Sequence, residues 1–348
     1  MSATAEQQVT ALRKRFREDI QSTLHEALVG SPSGLFSLLR YHLGWEEADG
    51  TPANVVTGKG LRPILCLTAC ELAGGDWHRA LPAAAALELV HNFSLIHDDI
   101  QDRDERRWGR PTLWTVHGES KAIAAGNALR VLADRTLMRL AAAGLDRGLM
   151  SDITLELTGR YLEMIEGQYM DVTFEDSGDV TVAQYLDMIG RKTGALIESA
   201  MFMGALVATS DRAQAEAFGA CGRRLGLAFQ IRDDYLGVWG DPAFTGKAVG
   251  ADIRRKKKSM PVVHLFEHVG DEERGWLQKA YAAGGEVAGR DVEHILHMLA
   301  DLGTPAYVQD AADQQAEAAV VAVGGLGLAD ASSETLVAMA EFFVTREK

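Results

Sequence analysis

Leu129-Arg130-Val131-Leu132-Ala133-Asp134-Arg135-Thr136-Leu137-Met138-Arg139-Leu140 decides the fold. Its leucines form two pairs three residues apart, a spacing that puts side chains on one face of a helix and on opposite faces of a strand. Tyr161, Met164, Ile165 and Gln168 repeat the three-and-four rhythm, and strand-type alternation is hard to find in the region. All eight prolines lie at 32, 52, 63, 82, 111, 242, 261 and 305. Positions 112–241 therefore hold none, and several long helices fit there without the break that an interior proline imposes. The chain reads as all-α, a bundle of long helices. Its 348 residues suffice for a sizeable core, and with no long flexible linker they read as one domain over 1–348, opened by a helical segment over 1–30. Irregular structure is expected over 31–60, 172–182, 240–261 and 270–287.

Two aspartate-rich stretches interrupt apolar helical sequence: Asp98-Asp99-Ile100-Gln101-Asp102 and Asp233-Asp234-Tyr235-Leu236-Gly237. Residues four apart stack on one helix face, so Asp98 and Asp102 present two carboxylates in register, while Asp99 sits about 100° around the axis. Such a face repels itself unless cations fill it. Carboxylate oxygens suit magnesium, which takes one or two of them, keeps several waters and completes its shell with a substrate phosphate. One acidic pair alone would read as a solvated helix end. Here Val90, Phe93, Leu95, Ile96 and Ile100 surround the first cluster and Leu227, Phe229, Ile231, Tyr235 and Leu236 the second, which points to an enclosed magnesium-diphosphate site.

The formal net charge of -14 argues against a nucleic-acid surface, which needs a broad basic field. Basic residues are local. The run Arg254-Arg255-Lys256-Lys257-Lys258 follows the second acidic cluster and Lys247, so contact with an anionic ligand is expected of it. Cys66, Cys70 and Cys221 form no Cys-x-x-Cys pair and read as reduced core residues. Residues 1–30 mix charged and apolar side chains with no export core, so a cytoplasmic location is expected. The most apolar segment, 83–96, is interrupted by Glu88, His91 and Asn92 and is too short to span a bilayer.

Two basic motifs continue the phosphate theme. In Gly58-Lys59-Gly60-Leu61-Arg62-Pro63, glycine allows close backbone approach, Lys59 brings a point charge and Arg62 a planar fork for phosphate oxygens. The spacing is not that of a nucleotide P-loop. Just after the first aspartates, Arg106-Arg107-Trp108-Gly109-Arg110-Pro111 sets guanidinium groups near the carboxylates, an order that suits a metal-bound diphosphate and, taken alone, equally suits a salt-bridged helix end.

In order, the chain shows Gly58-Lys59 with Arg62-Pro63, His91 through Asp102, Arg106-Arg107, Gly167-Gln168 with Asp171, Lys192-Thr193, Phe229-Gln230 with Asp233-Asp234, and Thr245-Gly246-Lys247 with Asp252 and Lys257. This series resembles the trans-isoprenyl diphosphate synthases, head-to-tail prenyltransferases that make farnesyl and geranylgeranyl diphosphates, and it covers most of the chain. The resemblance implies helices around a central cavity, a homodimer and three magnesium ions. It implies that Asp98 and Asp102 hold magnesium on an allylic diphosphate, that Asp233 holds a further ion, and that Asp99 and Asp234 support these. Lys59, Arg62, His91 and Arg107 would bind isopentenyl diphosphate. Arg106, Lys192, Lys247 and Lys257 would grip the allylic diphosphate, with Thr193 and Gln230 nearby. His91 stands seven residues before Asp98, two turns along the same face, which favours a ligand role over that of a core histidine.

The implied reaction ionises the allylic carbon–oxygen bond, and the double bond of isopentenyl diphosphate attacks the cation. The departing diphosphate takes the proton, so Asp98, Asp102, Arg106, Lys192, Asp233 and Lys247 act electrostatically and no separate base is needed. Segment 240–261 would be the moving lid that excludes water. Product length would be set by Phe93, with Leu89 continuing its face and the small Ser94 beside it. That pattern resembles the archaeal-type geranylgeranyl synthases and implies twenty carbons, with fifteen the runner-up. Gly60 stands where the family often has arginine, and Gly237 replaces the last aspartate of the second motif; Asp241 is either its substitute or a helix cap before Pro242. A class I terpene cyclase is the second reading, though its Asn-x-x-x-Ser-x-x-x-Glu motif is missing. A third is a silent subunit that tunes an active synthase.

Overall fold

The structure, a computed structural model, describes residues 4–29, 34–55, 58, 60–177, 180–246 and 248–347. Seventeen α-helices succeed one another among the described residues. They are α1 (Ala5–Leu28), α2 (Gly34–His42), α3 (Leu61–Leu72), α4 (Leu81–Gln101), α5 (Leu113–His117), α6 (Glu119–Leu137), α7 (Arg147–Asp176), α8 (Val182–Ile189) and α9 (Ala195–Thr209). Then come α10 (Arg212–Trp239), α11 (Pro242–Thr245), α12 (Ala251–Arg254), α13 (Met260–His268), α14 (Asp271–Ala282), α15 (Gly289–Asp301), α16 (Thr304–Val323) and α17 (Asp330–Thr345). Extended structure among the described residues is limited to a hairpin of β1 (Arg106–Arg107) and β2 (Arg110–Pro111) and one bridge between Glu46 and Pro52. The all-α reading holds, and the proline-free stretch forms α5 to α10. No described helix is long and apolar enough to cross a membrane.

Contacts gather the chain into two compact units. The N-terminal unit is Thr10–Thr158 with Ser199–Glu216; the C-terminal unit is Met1–Val9, Gly159–Glu198 and Ala217–Lys348. In the N-terminal unit α4 packs on α3 and α6. Ala83, Ala84, Ala85 and Ala86 are fully buried and let neighbours come close. Two glycines are required by that closeness. A Cβ on Gly126 of α6 would lie 2.5 Å from the His97 ring of α4, and one on Gly204 of α9 would lie 2.0 Å from the Cys66 carbonyl oxygen. Cys66, Cys70 and Cys221 are free and buried, and burial pushes the thiols of Cys70 and Cys221 up to about 12. They are inert core residues, as their spacing suggested.

In the C-terminal unit α13 packs against α8, α15 and α16, and α16 packs against α17. Val238, Ile253, Val262, Leu265, Leu277 and Ile295 form its apolar cluster. Thr181 and Gln184 close a capping box at the start of α8, which fixes where that helix begins. Segment 270–287, expected to be irregular, is mostly the helix α14. Asp271, Glu272 and Glu273 in its first turn and Lys279 in its last complement the helix dipole, and Leu277 is buried. Likewise α2 lies within 31–60, and α7 continues to Asp176. Segment 240–261 is broken into the four-residue α11 and α12, and the expected N-terminal helical segment is α1.

Candidate active site

In the N-terminal unit the first aspartate cluster ends α4. The Asp102 amide donates to the Asp98 carbonyl at 2.8 Å, so the two residues stand one turn apart, Asp98 half-buried and Asp102 exposed. Asp99 faces elsewhere. It is 2% exposed and accepts from Arg107 Nε at 2.6 Å. Burial raises its carboxyl to about 6 against the downward pull of Arg107. Arg107 reaches Asp99 because the β1–β2 hairpin reverses at Trp108 and Gly109, both left-handed with φ of 50° and 77°.

The three arginines of this hairpin have different roles. Arg110 donates to the carbonyls of Tyr41 at 3.1 Å and Glu46 at 2.8 Å and stacks on the Tyr41 ring, so it holds the loop to α2. Arg107 is half-buried on Asp99. Arg106 is exposed, with Nη2 on the Gly109 carbonyl at 2.7 Å.

Arg62 of α3 lies 3.1 Å from His91 Nε2 of α4. A guanidinium only donates, so Nε2 accepts and the imidazole proton sits on Nδ1. Burial, then Arg62, Arg107 and His42, hold His91 well below the usual histidine range. The pair thus presents one cation and one neutral donor. Behind it His42 bonds the Asn92 side-chain oxygen Oδ1 at 3.1 Å and is held neutral by burial, to about 3. Gly60 caps α3 at φ 57°, a left-handed position where a side chain costs about 1–2 kcal/mol. Backbone geometry therefore accounts for glycine where the resembled family often has arginine. Phe93 is buried and meets the His97 ring edge-on at 4.8 Å, with Leu89 buried one turn earlier. Ser94 is turned back to the His91 carbonyl at 2.8 Å. Lys59 and Lys247 lie outside the described residues.

In the C-terminal unit α10 carries Gln230, Asp233 and Asp234. Asp234 is fully buried and accepts from the Tyr185 hydroxyl, from Gln230 Nε2 at 3.1 Å and from the Met260 amide at 3.0 Å. Thr193 donates to Gln230 Oε1 at 2.9 Å, so Thr193, Gln230 and Asp234 form a chain. Lys257 Nζ sits 3.7 Å from both Asp234 and Asp252. Burial works against its charge, but Asp234, Asp252, Asp171 and Asp233 together raise its affinity for the proton. The rest of the basic run is engaged differently: Lys256 holds the Ala283 carbonyl and Lys258 the Phe174 carbonyl. Lys192 pairs with Asp171. It stands in a widened π-turn over Gly190–Gly194, pressed so closely on α7 that a Cβ at Gly167 would lie 2.3 Å from the Lys192 amide. Gly167 is thus a packing residue that positions Lys192.

Two residues were not anticipated in their roles. Arg346, beyond α17, is buried, donates to Asp233 and to the Phe229 carbonyl at 3.0 Å, and stacks over the Phe229 ring at 4.0 Å. Its partners lie over a hundred positions away, and no local pattern marks it. Asp252 fills the space beside Gly237, where a Cβ would come within 2.1 Å of its carboxylate. A carboxylate from α12 therefore stands where the second motif lacks its last aspartate, while Asp241 caps α11 by accepting from the Ala243 amide at 2.8 Å. Gly237→Asp should accordingly destabilise the protein by about 1–3 kcal/mol or more through overpacking and charge repulsion. Urea unfolding checks this, and an unchanged or raised midpoint would refute it.

The donor chemistry fits magnesium. Among the described residues no three His, Cys, Asp or Glu side chains converge as a ready-made cage. Asp98 and Asp102 instead offer two accessible hard oxygens in register, the set suited to an ion that completes its shell with water and phosphate.

The sequence model for "Polyprenyl synthetase" matches residues 51–299. The chain is 38% identical over 338 residues to a geranylgeranyl diphosphate synthase of Mycobacterium tuberculosis, covering 97% of this chain and 94% of that one. It is 37% identical over 316 residues to a (2E,6E)-farnesyl diphosphate synthase of the same organism, covering 89% and 86%. The crystal structure of a polyprenyl synthetase from Streptomyces coelicolor A3(2) superposes with a TM-score of 0.90 at 35% identity, covering 97% of this chain and 100% of that one. With the family model spanning both aspartate motifs and relatives matched over nearly their full length, this chain belongs to the polyprenyl synthetase family.

Proposed function

We propose that this short-chain prenyltransferase condenses isopentenyl diphosphate with an allylic diphosphate and releases geranylgeranyl diphosphate. The observation that carries the reading is the division among five aspartates. Asp98 and Asp102 keep accessible carboxylates, and Asp233 stays 41% exposed while accepting from Arg346, whereas Asp99 and Asp234 are buried on protein donors. Asp98, Asp102 and Asp233 would hold magnesium, which supplies Lewis-acid stabilisation of the leaving diphosphate. Arg106, Lys192, Lys247 and Lys257 add positive charge where the leaving group develops negative charge, with Thr193 and Gln230 fixing that wall. Arg62, neutral His91, Arg107 and Lys59 hold isopentenyl diphosphate, and the departing diphosphate removes the final proton. Segment 240–261 closes over the reacting carbons, and the whole chain acts as one cytoplasmic catalytic domain. A homodimer is supported by the exposed apolar residues Leu155, Leu162, Ile165, Tyr169 and Val172, which recur at three, four and seven on α7.

The test is incubation of the purified protein with magnesium, labelled isopentenyl diphosphate and each of dimethylallyl, geranyl and farnesyl diphosphates, followed by chromatographic sizing. A ladder ending at twenty carbons is expected. An end at fifteen would make it a farnesyl diphosphate synthase, and diphosphate release with hydrocarbon but no incorporated label would make it a cyclase. Phe93→Ala should lengthen the principal product by at least one five-carbon unit, because the ring's volume opens to the tail. An unchanged product would move the floor of the tail site elsewhere.

A further inference from the structure

One cleft in the N-terminal unit extends beyond the groups assigned to the proposed reaction and borders the loop that carries Gly58 and Gly60. It has a volume of about 1040 Å³ and is walled on one side by α1. Along that wall the helix changes character. Arg13, Lys14 and Arg17 line one end, and Ile20 and Leu24 line the other, with Ile64 of α3 adding apolar surface. At 1.5 Å per residue, Arg13 to Leu24 spans roughly 16 Å.

Glu18 lines the same stretch, so the basic end sets three cations against one carboxylate. Among the described residues Arg13, Lys14 and Arg17 take part in no ion pair, in a chain whose net charge is -14. Arg13 and Arg17 fall one turn apart, a spacing at which like charges repel. Arg13 is also half-buried, and burial followed by Arg17 lowers its hold on the proton. Lys14 and Arg17 are exposed whereas Ile20 and Leu24 are buried, so the wall passes from charged to apolar along the helix. Glu88 of α4 lines the same cleft, and its buried Oε2 has no hydrogen-bond partner. Burial raises its carboxyl against the opposing pull of Arg62 and the Asn92 amide.

We propose that this cleft is a second ligand site for an amphiphilic phosphate or diphosphate ester, its anionic head on Arg13, Lys14 and Arg17 and its hydrocarbon tail along Ile20, Leu24 and Ile64. The enzyme's own class of product has this chemistry, and the choice of probe rests on the proposed reaction. Gly58 and Gly60 also line the cleft, on either side of Lys59, so an occupant touches the loop assigned to isopentenyl diphosphate. It should therefore raise the KM for isopentenyl diphosphate and leave that for the allylic substrate unchanged.

The test is equilibrium dialysis of the full chain against labelled farnesyl thiolodiphosphate, whose sulfur bridge resists ionisation, alongside the triple variant Arg13→Ala, Lys14→Ala, Arg17→Ala. Wild type should bind two equivalents per chain and the variant one, with the variant's kcat unchanged as proof of its fold. One equivalent in wild type, or two in the variant, would overturn the second site while leaving the reaction intact. No binding at all would count against the proposed reaction as well. Inorganic diphosphate saturating the α1 site as tightly as the ester would overturn the amphiphilic assignment.

Discussion

Asp98→Asn should lower kcat about a thousandfold with little change in the stability of the fold. Asp98 sits at the accessible end of α4, in register with Asp102 and half-exposed, so an amide of the same shape leaves the helix and its packing intact. What it removes is a negative oxygen donor where the leaving diphosphate must be neutralised. Losing one preorganised electrostatic contact at a developing charge typically lowers rates by about 10²–10³, and a hard-ion ligand belongs at the upper end of that range. A thousandfold corresponds to roughly 4 kcal/mol of barrier. Single-turnover rates at saturating magnesium and substrates isolate the chemical step. A variant within tenfold of wild type would mean that Asp98 is not a principal ligand and that Asp102 or Asp233 dominates.

Much of this site was legible in the sequence because its logic is local. Asp98 and Asp102 are four apart on an apolar helix, a pattern that needs no fold to interpret, and the Leu129–Leu140 spacing states a helix outright. What remained hidden depends on residues distant along the chain. Asp99 and Asp98 are neighbours in sequence, yet one is tied to Arg107 and the other faces outward, because the β1–β2 hairpin brings that arginine back. The basic run 254–258 looked uniform; a left-handed backbone at Lys256 turns Lys257 toward Asp234 and sends its neighbours to carbonyls. Gly167 and Gly237 were visible as motif letters, but the reasons for them are the Lys192 amide and the Asp252 carboxylate. Helix α14 was misjudged because glycines at 270, 284 and 285 frame it and its surface is charged, while the buried Leu277 that anchors it gives no periodic signal.

Asp234→Leu should reduce the free energy of unfolding by about 3–5 kcal/mol, the scale on which removing one member of a buried charged network acts. Asp234 has no exposed surface and accepts from Tyr185, Gln230 and the Met260 amide. Leucine fills the volume but leaves those donors without an acceptor, at about 1–3 kcal/mol for each one that stays dry. Asp234→Asn should lose much less, because one amide oxygen can still accept from Tyr185 or Met260. Its deficit relative to wild type should also depend on pH in a fixed direction. Burial raises the folded carboxyl above its unfolded value, outweighing Lys257, the Met260 amide and Tyr185. The wild-type carboxyl therefore favours folding most at low pH and loses that advantage as pH climbs from the unfolded value through the folded one. The gap between wild type and the asparagine variant should narrow over that interval. Urea unfolding of all three proteins across the acid range reads both effects. A leucine variant that loses under about 1 kcal/mol would mean that water reaches the Tyr185 and Met260 donors, and a gap that widens with pH would mean that Lys257, not burial, governs the carboxyl.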